Sequence, residues 1–338
     1  MTTGSNSITP IELSAEEAGR VREAFTDFAW GPDVPVAPAI DDARARFVRA
    51  MPERVLDALD AMSTGAGPAA IVLGGLPFDP TIKTGPRDPM IAYPDKVDSL
   101  SEGLALGAAA YQGDPYGISD EGDGVVNNLS PTQADIERHT GNGSRRKLGL
   151  HIENAAPRRL PPGISPDGLV LLGISGDPIG NPPTMVSDAR LAYADCSDAT
   201  QQRLLEPVDL KVPERWRAGF PAAQAHAPVV AVTDGVADFA FAFYGDMTTA
   251  SDTAGQAALA EFEAALEARA IALWVLPGTM AVISNQVAAH GRGSFEAGFT
   301  ADGLPLRWLQ RVFWTKNIGR FEEFEEPTSR VYNPGRKR

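Results

Sequence analysis

Apolar residues near the start of the chain recur at intervals of three and four positions. This spacing occurs in residues 14–28 and 43–62, and it predicts two or three helices because it places apolar side chains on one helical face. Ser14 followed three residues later by Glu17 is typical of a capping box at the start of a helix. We therefore expect a helical N-terminal part over residues 1–68.

The pattern then changes to short apolar runs. Residues 69–76 predict a buried strand that ends in a turn, and from residue 148 onward several short apolar segments are separated by turn residues. A series of short strands of this kind indicates a sandwich or a barrel. Residues 253–269 interrupt the series with alanine, glutamate and leucine at helical spacing, which predicts an inserted helix. The expected fold class is mainly β with helices (α+β).

These segments also predict how the chain is organised. A chain of 338 residues holds roughly one or two domains, and we expect a single domain over residues 1–321, with its core in residues 69–321. The long segment between residues 78 and 131 is rich in glycine, proline, aspartate and asparagine, and we expect it to line a site. Residues 322–338 mix charge with proline and glycine, which predicts a surface tail.

Composition excludes several classes of protein. The chain has 30 lysines and arginines against 44 aspartates and glutamates, a net charge of −14, so we expect no nucleic acid bound through a basic surface. Its apolar stretches stay far below the roughly 20 residues of a membrane-spanning helix, and no secretory signal is present, which predicts a cytoplasmic protein without membrane contact. The single cysteine, Cys196, permits no internal disulfide and no cysteine-based zinc site.

Two short segments that contain histidine hold the candidate chemistry. His151 and Glu153 lie two apart in LGLHIENAA, which predicts a strand, so their side chains are expected on one face. His290 follows a second strand-like segment and precedes a glycine-rich turn that would expose its ring. Two histidines and one carboxylate form a facial triad that leaves three positions open on an octahedral metal, which suits non-haem Fe(II).

Each of these segments also has an ordinary structural interpretation. A histidine and a glutamate on a strand are commonly an exposed polar pair, and we expect His139 and His226, which lie in polar or proline-containing links, at the surface. The metal hypothesis is favoured because a histidine before a glycine turn and an arginine-rich segment, RWLQRVF, follow the first pair in the same chain. Chance agreement of all three features is much rarer than any one of them.

These segments resemble the clavaminate synthase-like branch of the Fe(II)/2-oxoglutarate-dependent oxygenases, which includes asparagine oxygenase and the arginine β-hydroxylases of peptide-antibiotic pathways. That branch has an H-x-E…H ligand set, an H-G-R-x-x-F stretch that starts at the distal histidine, and an Arg-Trp-Leu tripeptide one hairpin later. This sequence has His151-Ile152-Glu153, then HGRGSF at residues 290–295 and Arg-Trp-Leu at residues 307–309. The resemblance covers roughly residues 69–315.

The resemblance implies a double-stranded β-helix, or jelly roll, as the core of a single catalytic domain. It also implies Fe(II), 2-oxoglutarate and O₂, and hydroxylation of an unactivated C–H bond in a free amino acid or an amino-acid derivative within a specialised-metabolite pathway. Glu153 favours hydroxylation, because the related radical halogenases lack the carboxylate ligand. Desaturation or cyclisation would use the same cofactor chemistry and stays open, as does a carrier-bound substrate.

The resemblance further implies which residues bind 2-oxoglutarate. Arg307 corresponds to the arginine that anchors the distal carboxylate, a group that a bidentate guanidinium recognises well. Arg311, four residues further along, is the second candidate for this role. Thr184 resembles the hydroxyl donor that completes the clamp, and a plain strand residue is the alternative interpretation.

The segment expected to contact the substrate side chain departs from the family pattern. Hydroxylases of basic amino acids have a Phe-Asp-x-Asp-Leu-like stretch, whereas this chain has Phe-Tyr-Gly-Asp-Met at residues 243–247. We therefore expect Tyr244 and Asp246 in the substrate site, Asp246 beside a polar or singly cationic group, and free arginine as a poor substrate. Asp120 and Asn128 lie in the loop where the family contacts the substrate's amino and carboxylate groups. A turn-forming Asp246 and a solvated acidic loop around Asp120 are the alternatives.

Two other classes of protein could use the same residues. A zinc hydrolase on a jelly-roll fold could bind its metal with two histidines and a glutamate, but it would need a nearby general base and no arginine clamp. A jelly-roll binding protein without activity would not need the intact ligand set. The expected partner is a small amino-acid-like molecule, and the sequence leaves the oligomeric state open.

Overall fold

The structure is a computed structural model that describes residues 7–233 and 235–338. Its α-helices, α1 to α8 in chain order, span Ala15–Phe25, Val36–Ala50, Glu53–Ser63, Leu100–Gln112, Ala155–Arg159, Ala189–Asp195, Asp198–Leu204 and Thr253–Arg269. None of the helices in this described part is long and apolar enough to cross a membrane. The strands, β1 to β18, span Ile8–Glu12, Ala70–Gly74, Asp114–Ile118, Val126–Leu129, Leu148–His151, Gly168–Ser175, Thr184–Asp188, Pro207–Lys211, Gln224–Pro228, Val230–Thr233, Val236–Phe239, Thr248–Thr249, Ile271–Leu273, Met280–Ser284, Ala288–Arg292, Trp308–Thr315, Phe324–Thr328 and Val331–Lys337.

The strands of the described residues form one large sheet and three smaller ones. The large sheet has the order β1-β2-β14-β6-β16-β3-β18-β17, and β4 also pairs with β16. A second sheet has the order β13-β7-β15-β5, and the remaining strands form the sheets β12-β8-β9 and β10-β11. The fold is a mixed α+β structure built mostly on sheets, which agrees with the fold class predicted from the sequence.

The two central strands of the large sheet are buried on both faces. Every residue of β6 and β16 is buried, and alternate residues of β6 belong to different hydrophobic clusters. Leu169 and Leu171 pack in the cluster that contains the four-stranded sheet, whereas Val170 and Leu172 pack in the cluster that contains α2 and α4. Because helices cover one face and a second sheet covers the other, the strand is apolar throughout rather than alternating.

The N-terminal helices form where the apolar spacing predicts them. The Ser14 hydroxyl accepts a hydrogen bond from the Glu17 main-chain N–H (3.2 Å), and the Glu17 carboxylate accepts one from the Ser14 N–H (2.8 Å), which completes the capping box. Where α4 crosses α2, a Cβ on Gly107 would lie only 2.7 Å from the Cβ of Phe47, so this close approach requires glycine. The sequence analysis missed β1, which pairs in parallel with β2.

The C-terminal residues correct one prediction. Residues 322–338 are not a loose surface tail, because β17 and β18 form a hairpin and β18 pairs in parallel with β3 at Val331 and Tyr332. Both of these residues are buried, and the Tyr332 ring stacks on the Phe321 ring at a centroid distance of 4.8 Å. The composition was misleading because only a few residues of this edge hairpin are buried, while its charged ends are exposed.

Replacing Tyr332 with alanine is expected to lower the free energy of unfolding by about 3 kcal/mol, because it removes buried aromatic packing and leaves a cavity. Denaturant unfolding followed by tryptophan fluorescence measures the change. Arg336→Ala, at an exposed position of the same strand, is the control and is expected to change this free energy by less than about 0.5 kcal/mol. Equal effects of the two substitutions would mean that the hairpin does not pack on the sheet.

Candidate active site

Two neighbouring strands bring the distant histidines together. β5 and β15 are antiparallel, and His151 lies directly opposite His290 in their register. The centroids of the two rings are 4.4 Å apart, and both residues are buried. Strand pairing therefore unites two segments that are far apart in the sequence.

Glu153 reaches the same place from a turn rather than from a strand. β5 ends at His151, and the chain turns before Asn154, whose left-handed conformation (φ 55°) precedes α5. The buried amide of Asn285 holds this turn: its Oδ1 accepts from the Glu153 N–H (2.8 Å), and its Nδ2 donates to the Glu153 carbonyl (3.2 Å). The strand predicted over both residues is thus too long, although the two side chains do converge.

The side chains of His151, Glu153 and His290 form the candidate metal site. One possible ligand atom from each lies within 4.8 Å of the other two, and Glu153 Oε1 is 3.5 Å from His290 Nε2 and 3.9 Å from His151 Nε2. His151 Nδ1 is 2.8 Å from the carbonyl of Gly149. A neutral ring that donates this hydrogen bond keeps the Nε2 lone pair for a metal. Two imidazoles and a carboxylate at these separations fit one divalent metal ion.

The electrostatic environment favours the protonation states of metal ligands. Burial alone would raise the pKa of Glu153, but the two imidazoles and the positive charge of Arg311 hold it well below its usual range. Burial and the charge of His151 lower the pKa of His290, which favours its neutral ring. A metal ion is bound by ionised carboxylates and neutral imidazoles, so an ionised Glu153 and a neutral His290 are in the form that binds a metal.

These side chains open into a cavity of about 470 Å³. Leu169 and Leu171 of β6 contribute apolar lining, and the segment that follows β4 contributes residues 138–142. The volume lies within the range of small-molecule sites in proteins. The candidate metal site is therefore accessible to a small ligand.

Two buried arginines, Arg292 and Arg307, line the cavity. Arg292, the last residue of β15, lies opposite Thr184 in the register with β7. The Cζ atoms of Arg307 and Arg292 lie 5.6 Å and 5.1 Å from the centre of the Phe295 ring. Burial and the nearby charge of Arg292 lower the pKa of Arg307 to about 10, so Arg307 stays protonated at neutral pH.

These two arginines differ in their partners. Arg292 donates hydrogen bonds to the main-chain carbonyls of Ser144 (3.1 Å) and Gly293 (2.8 Å). The Arg307 side chain has neither a hydrogen bond nor an ion pair with any residue that the structure describes, and it lines the cavity together with Thr184. A buried, protonated guanidinium in this setting is suited to bind an anionic ligand.

Arg311, the second candidate for the cosubstrate, already has acidic partners. Its Nη2 donates to Glu121 Oε2 (2.6 Å) and to Asn127 Oδ1 (3.3 Å), and its Nη1 lies 3.5 Å from Glu153 Oε1. Burial would lower the pKa of Arg311, but the charges of Glu121 and Glu153 raise it above its ordinary value. Arg311 therefore joins a candidate metal ligand to an acidic residue, whereas Arg307 does not.

Two of the predicted substrate residues do line the cavity. The Tyr244 ring is perpendicular to the His151 ring at a centroid distance of 5.1 Å. Asp120 lines the cavity from the loop before β4, next to Glu121. Both residues are therefore within reach of a ligand that occupies the cavity.

The other two predicted substrate residues require correction. Asn128 does not line the cavity: its buried amide donates to the Ile91 carbonyl (2.9 Å) and accepts from the Trp308 indole N–H (3.0 Å). Asp246 is exposed, has a φ of 56° directly after Gly245, and likewise does not line the cavity. Packing of the loop accounts for Asn128, and turn geometry accounts for Asp246.

Among the lining residues that the sequence analysis did not predict are His139 and Lys211. His139 was expected at the surface, but its ring stacks on Tyr244 at a centroid distance of 6.0 Å. His226 is exposed and lies 3.0 Å from Asp209, in agreement with the prediction of a surface position. Nothing in the local sequence marks His139 or Lys211, because only tertiary packing brings their segments to the cavity.

Comparisons with known proteins agree with this geometry. No protein-family model matches the chain. The sequence is 30% identical over 260 residues to L-asparagine oxygenase from Streptomyces coelicolor, and this match covers 75% of the chain and 74% of that protein. Because this identity extends over about three quarters of both proteins, the two belong to the same family.

Solved structures share the fold. The structure of asparagine oxygenase in complex with Fe(II), 2S,3S-3-hydroxyasparagine and succinate matches with a TM-score of 0.80 and 27% identity, over 96% of this chain and 99% of that one. The non-heme iron oxygenase OrfP in complex with Fe and alpha-ketoglutaric acid matches with a TM-score of 0.78 and 23% identity, over 97% and 100% of the two chains. With the relative above, these matches identify the chain as a member of the asparagine oxygenase branch of the clavaminate synthase-like Fe(II)/2-oxoglutarate-dependent oxygenases.

Proposed function

We propose that the protein hydroxylates an unactivated C–H bond of a free amino acid or an amino-acid derivative, using Fe(II), 2-oxoglutarate and O₂. The observation that carries this proposal is the position of Arg307, a buried guanidinium without an acidic partner among the described residues, in the cavity that contains the candidate metal site. A zinc hydrolase needs the metal ligands but not this arginine. The substrate class is supported by the hydroxyasparagine and succinate in the asparagine oxygenase structure.

In this proposal His151, Glu153 and His290 hold the iron. Asn285 acts through Glu153, because its amide fixes the main chain on both sides of that ligand. Bound Fe(II), together with 2-oxoglutarate and O₂, supplies an oxidant able to break a C–H bond. The protein orients the two organic molecules, and the position of the substrate determines which bond reacts.

Arg307 and Thr184 bind the distal carboxylate of 2-oxoglutarate in this proposal. A guanidinium can donate two parallel hydrogen bonds to a carboxylate, and a threonine hydroxyl can add a third. Both side chains line the cavity, and Arg307 lies beside Phe295, whose ring Arg292 also contacts. The ionised carboxylate would compensate a charge that is otherwise buried without a partner.

The charged residues around Arg311 suit the main-chain groups of an amino acid. Arg311, Glu121 and Asp120 line one region of the cavity and offer both signs of charge. An α-carboxylate would approach the guanidinium, and an α-ammonium would approach the carboxylates. A zwitterion bound in this way would bring its α- and β-carbons near the metal ligand Glu153, to which Arg311 is linked.

We further propose that the large sheet and the four-stranded sheet form a double-stranded β-helix within one catalytic domain. This interpretation is supported by the shared hydrophobic cluster between the sheets, which includes Leu171 of β6 and Ala289 of β15. The domain would include residues 1–321 and also the C-terminal hairpin, because β18 pairs with β3. A cytoplasmic location and a small-molecule partner stay predictions.

Incubation of the protein with Fe(II), 2-oxoglutarate and a panel of amino acids is expected to release succinate above the substrate-free background for a subset of the panel. The product of that subset is expected to be heavier by one oxygen atom in mass spectrometry. A product lighter by two hydrogens would instead indicate desaturation or cyclisation at the same site. No stimulation of succinate release by any free amino acid, or by its carrier-bound form, would contradict the proposal.

A further inference from the structure

Lys211 and Arg307 line the cavity from different elements, Lys211 at the end of β8 and Arg307 just before β16. In the four-stranded sheet, the order β7-β15-β5 puts Thr184 on one side of His290 and His151 on the other. Beyond β5, the Phe243 N–H donates to the Leu150 carbonyl (3.1 Å), so residues 241–243 extend along that edge. Arg307 instead lies beside Phe295, with its Cζ atom 5.6 Å from the ring centre, and Arg292 of β15 contacts the same ring.

The chain continues from this edge to Lys211. The Met247 N–H donates to the Tyr244 carbonyl (3.1 Å), which closes a turn, and the Lys211 N–H then donates to the Met247 carbonyl (2.8 Å). Tyr244, Met247 and Lys211 all line the cavity, and we refer to them as the Lys211 wall. This wall begins at the Tyr244 ring, which is perpendicular to that of His151, so it adjoins the candidate metal site.

The Lys211 wall contains a cation and no carboxylate. Asp246, the acidic residue within the turn, is exposed and does not line the cavity. In residues 7–233 and 235–338, no carboxylate lies within ion-pairing distance of the half-buried Lys211 ammonium, and Asp135, which also lines the cavity, is 3.1 Å from Arg138. A cationic side chain such as a guanidinium would therefore meet repulsion at this wall.

The other cations of the lining have partners or a role in the proposed function. Arg138 and Arg311 are paired with carboxylates, and Arg292 donates to main-chain carbonyls. Among the lining cations that the structure describes, this leaves Arg307 and Lys211 without a side-chain hydrogen bond or an ion pair, and the proposed function gives Arg307 to the distal carboxylate of 2-oxoglutarate. The Lys211 ammonium, which lines the cavity without an acidic partner among the described residues, therefore offers a charge-assisted hydrogen bond to a second anion.

We infer that the side chain of the substrate ends in a carboxylate that binds Lys211, so the enzyme acts on an acidic amino acid such as aspartate or glutamate. The inference rests on the proposed function, because it takes the α-amino and α-carboxylate groups to lie near Arg311. The sequence suggested that Asp246 contacts a polar or cationic group at the end of the substrate side chain. The inference assigns this contact to Lys211 instead, a residue of opposite charge. Within the described part of the chain, the cavity then offers each ligand one cation without an acidic partner, Arg307 for 2-oxoglutarate and Lys211 for the substrate.

The sharpest test compares each acid with its amide, since the two differ little in shape but differ in charge. Aspartate against asparagine, and glutamate against glutamine, are assayed for kcat/KM by succinate release and by oxygenated product. One acid is expected to exceed its amide by roughly tenfold or more, and arginine, lysine and ornithine are expected to be poor substrates. An amide that equals or exceeds its acid, or an efficient basic substrate, would overturn the inference while leaving the proposed function intact.

Substitutions at Lys211 test whether this residue is the cause. Lys211→Met is expected to lower kcat/KM for the preferred acid by about tenfold and to remove the preference over the amide. Lys211→Glu is expected to reverse the preference and to improve turnover of basic amino acids. Lys83→Met, at an exposed lysine outside the cavity, is the matched control and is expected to leave the preference unchanged.

Two outcomes separate this inference from the function on which it rests. A wild-type preference for an acid that survives in Lys211→Met, with the fold verified by circular dichroism, would overturn the role of Lys211. Absence of stimulated succinate release with every amino acid, acidic, neutral or basic, and with their carrier-bound forms, would instead overturn the proposed function itself.

Discussion

Replacing His290 with alanine is expected to abolish turnover and to weaken Fe(II) binding by at least about a hundredfold, since even outer-shell partners of metal ligands have effects of that size. His151→Ala and Glu153→Ala are expected to act in the same way. The three side chains offer ligand atoms within 4.8 Å of one another, so the loss of one leaves a site with two donors. Succinate release measures turnover, and equilibrium dialysis against Fe(II) measures binding.

The matched control for these substitutions is His226→Ala. His226 is exposed, lies beside Asp209 and does not line the cavity, so its loss is expected to change neither Fe(II) binding nor activity. His139 is not a suitable control, because its ring stacks on Tyr244 in the cavity lining. Near-normal Fe(II) binding in the His290 variant would contradict the candidate metal site, provided that the variant folds.

Replacing Arg307 with lysine is expected to raise the KM for 2-oxoglutarate by roughly tenfold or more, because an ammonium cannot reproduce the paired hydrogen bonds of a guanidinium to a carboxylate. The same change at Arg311 is expected to act mainly on the KM for the amino acid. The structure supports this separation, because Arg311 bridges Glu121 and Glu153 while Arg307 has no acidic partner in the described part of the chain. Steady-state kinetics with each ligand varied in turn measures both constants.

The two arginine variants serve as controls for each other. Both residues are buried, and both substitutions keep a positive charge at their position, so the two variants differ in which hydrogen bonds they lose and not in the sign of the charge. A larger rise of the 2-oxoglutarate KM in Arg311→Lys than in Arg307→Lys would reverse the two roles. The proposed cosubstrate site would then have to be placed beside Glu121.

Much of the candidate metal site could be predicted from the sequence because its residues lie in recognisable local patterns. The spacing of His151 and Glu153, and the glycine turn after His290, are visible without tertiary structure. The sequence did not reveal that β5 ends at His151, nor that the amide of Asn285 then holds Glu153 in place. Such long-range hydrogen bonds leave no periodic signal in the chain.

The substrate region was harder to predict for the same physical reason. An aspartate next to a glycine has the same sequence pattern whether it faces a ligand or forms a turn. At Asp246 the positive φ of 56° shows that the residue forms a turn. Lys211 ends a strand whose apolar residues alternate into the core, so its position facing the cavity depends on the packing of β8. The buried amide of Asn128 is likewise used by the protein itself.

Oxygen-isotope labelling of the reaction tests the central claim most directly. The protein, loaded with Fe(II), is incubated with 2-oxoglutarate and its preferred amino acid under ¹⁸O₂, and both products are analysed by mass spectrometry. The account predicts one labelled oxygen in the hydroxylated amino acid, one in succinate, and equal amounts of the two products. A hydroxylated product without the label, or succinate formed at the same rate whether or not any amino acid is present, would contradict it.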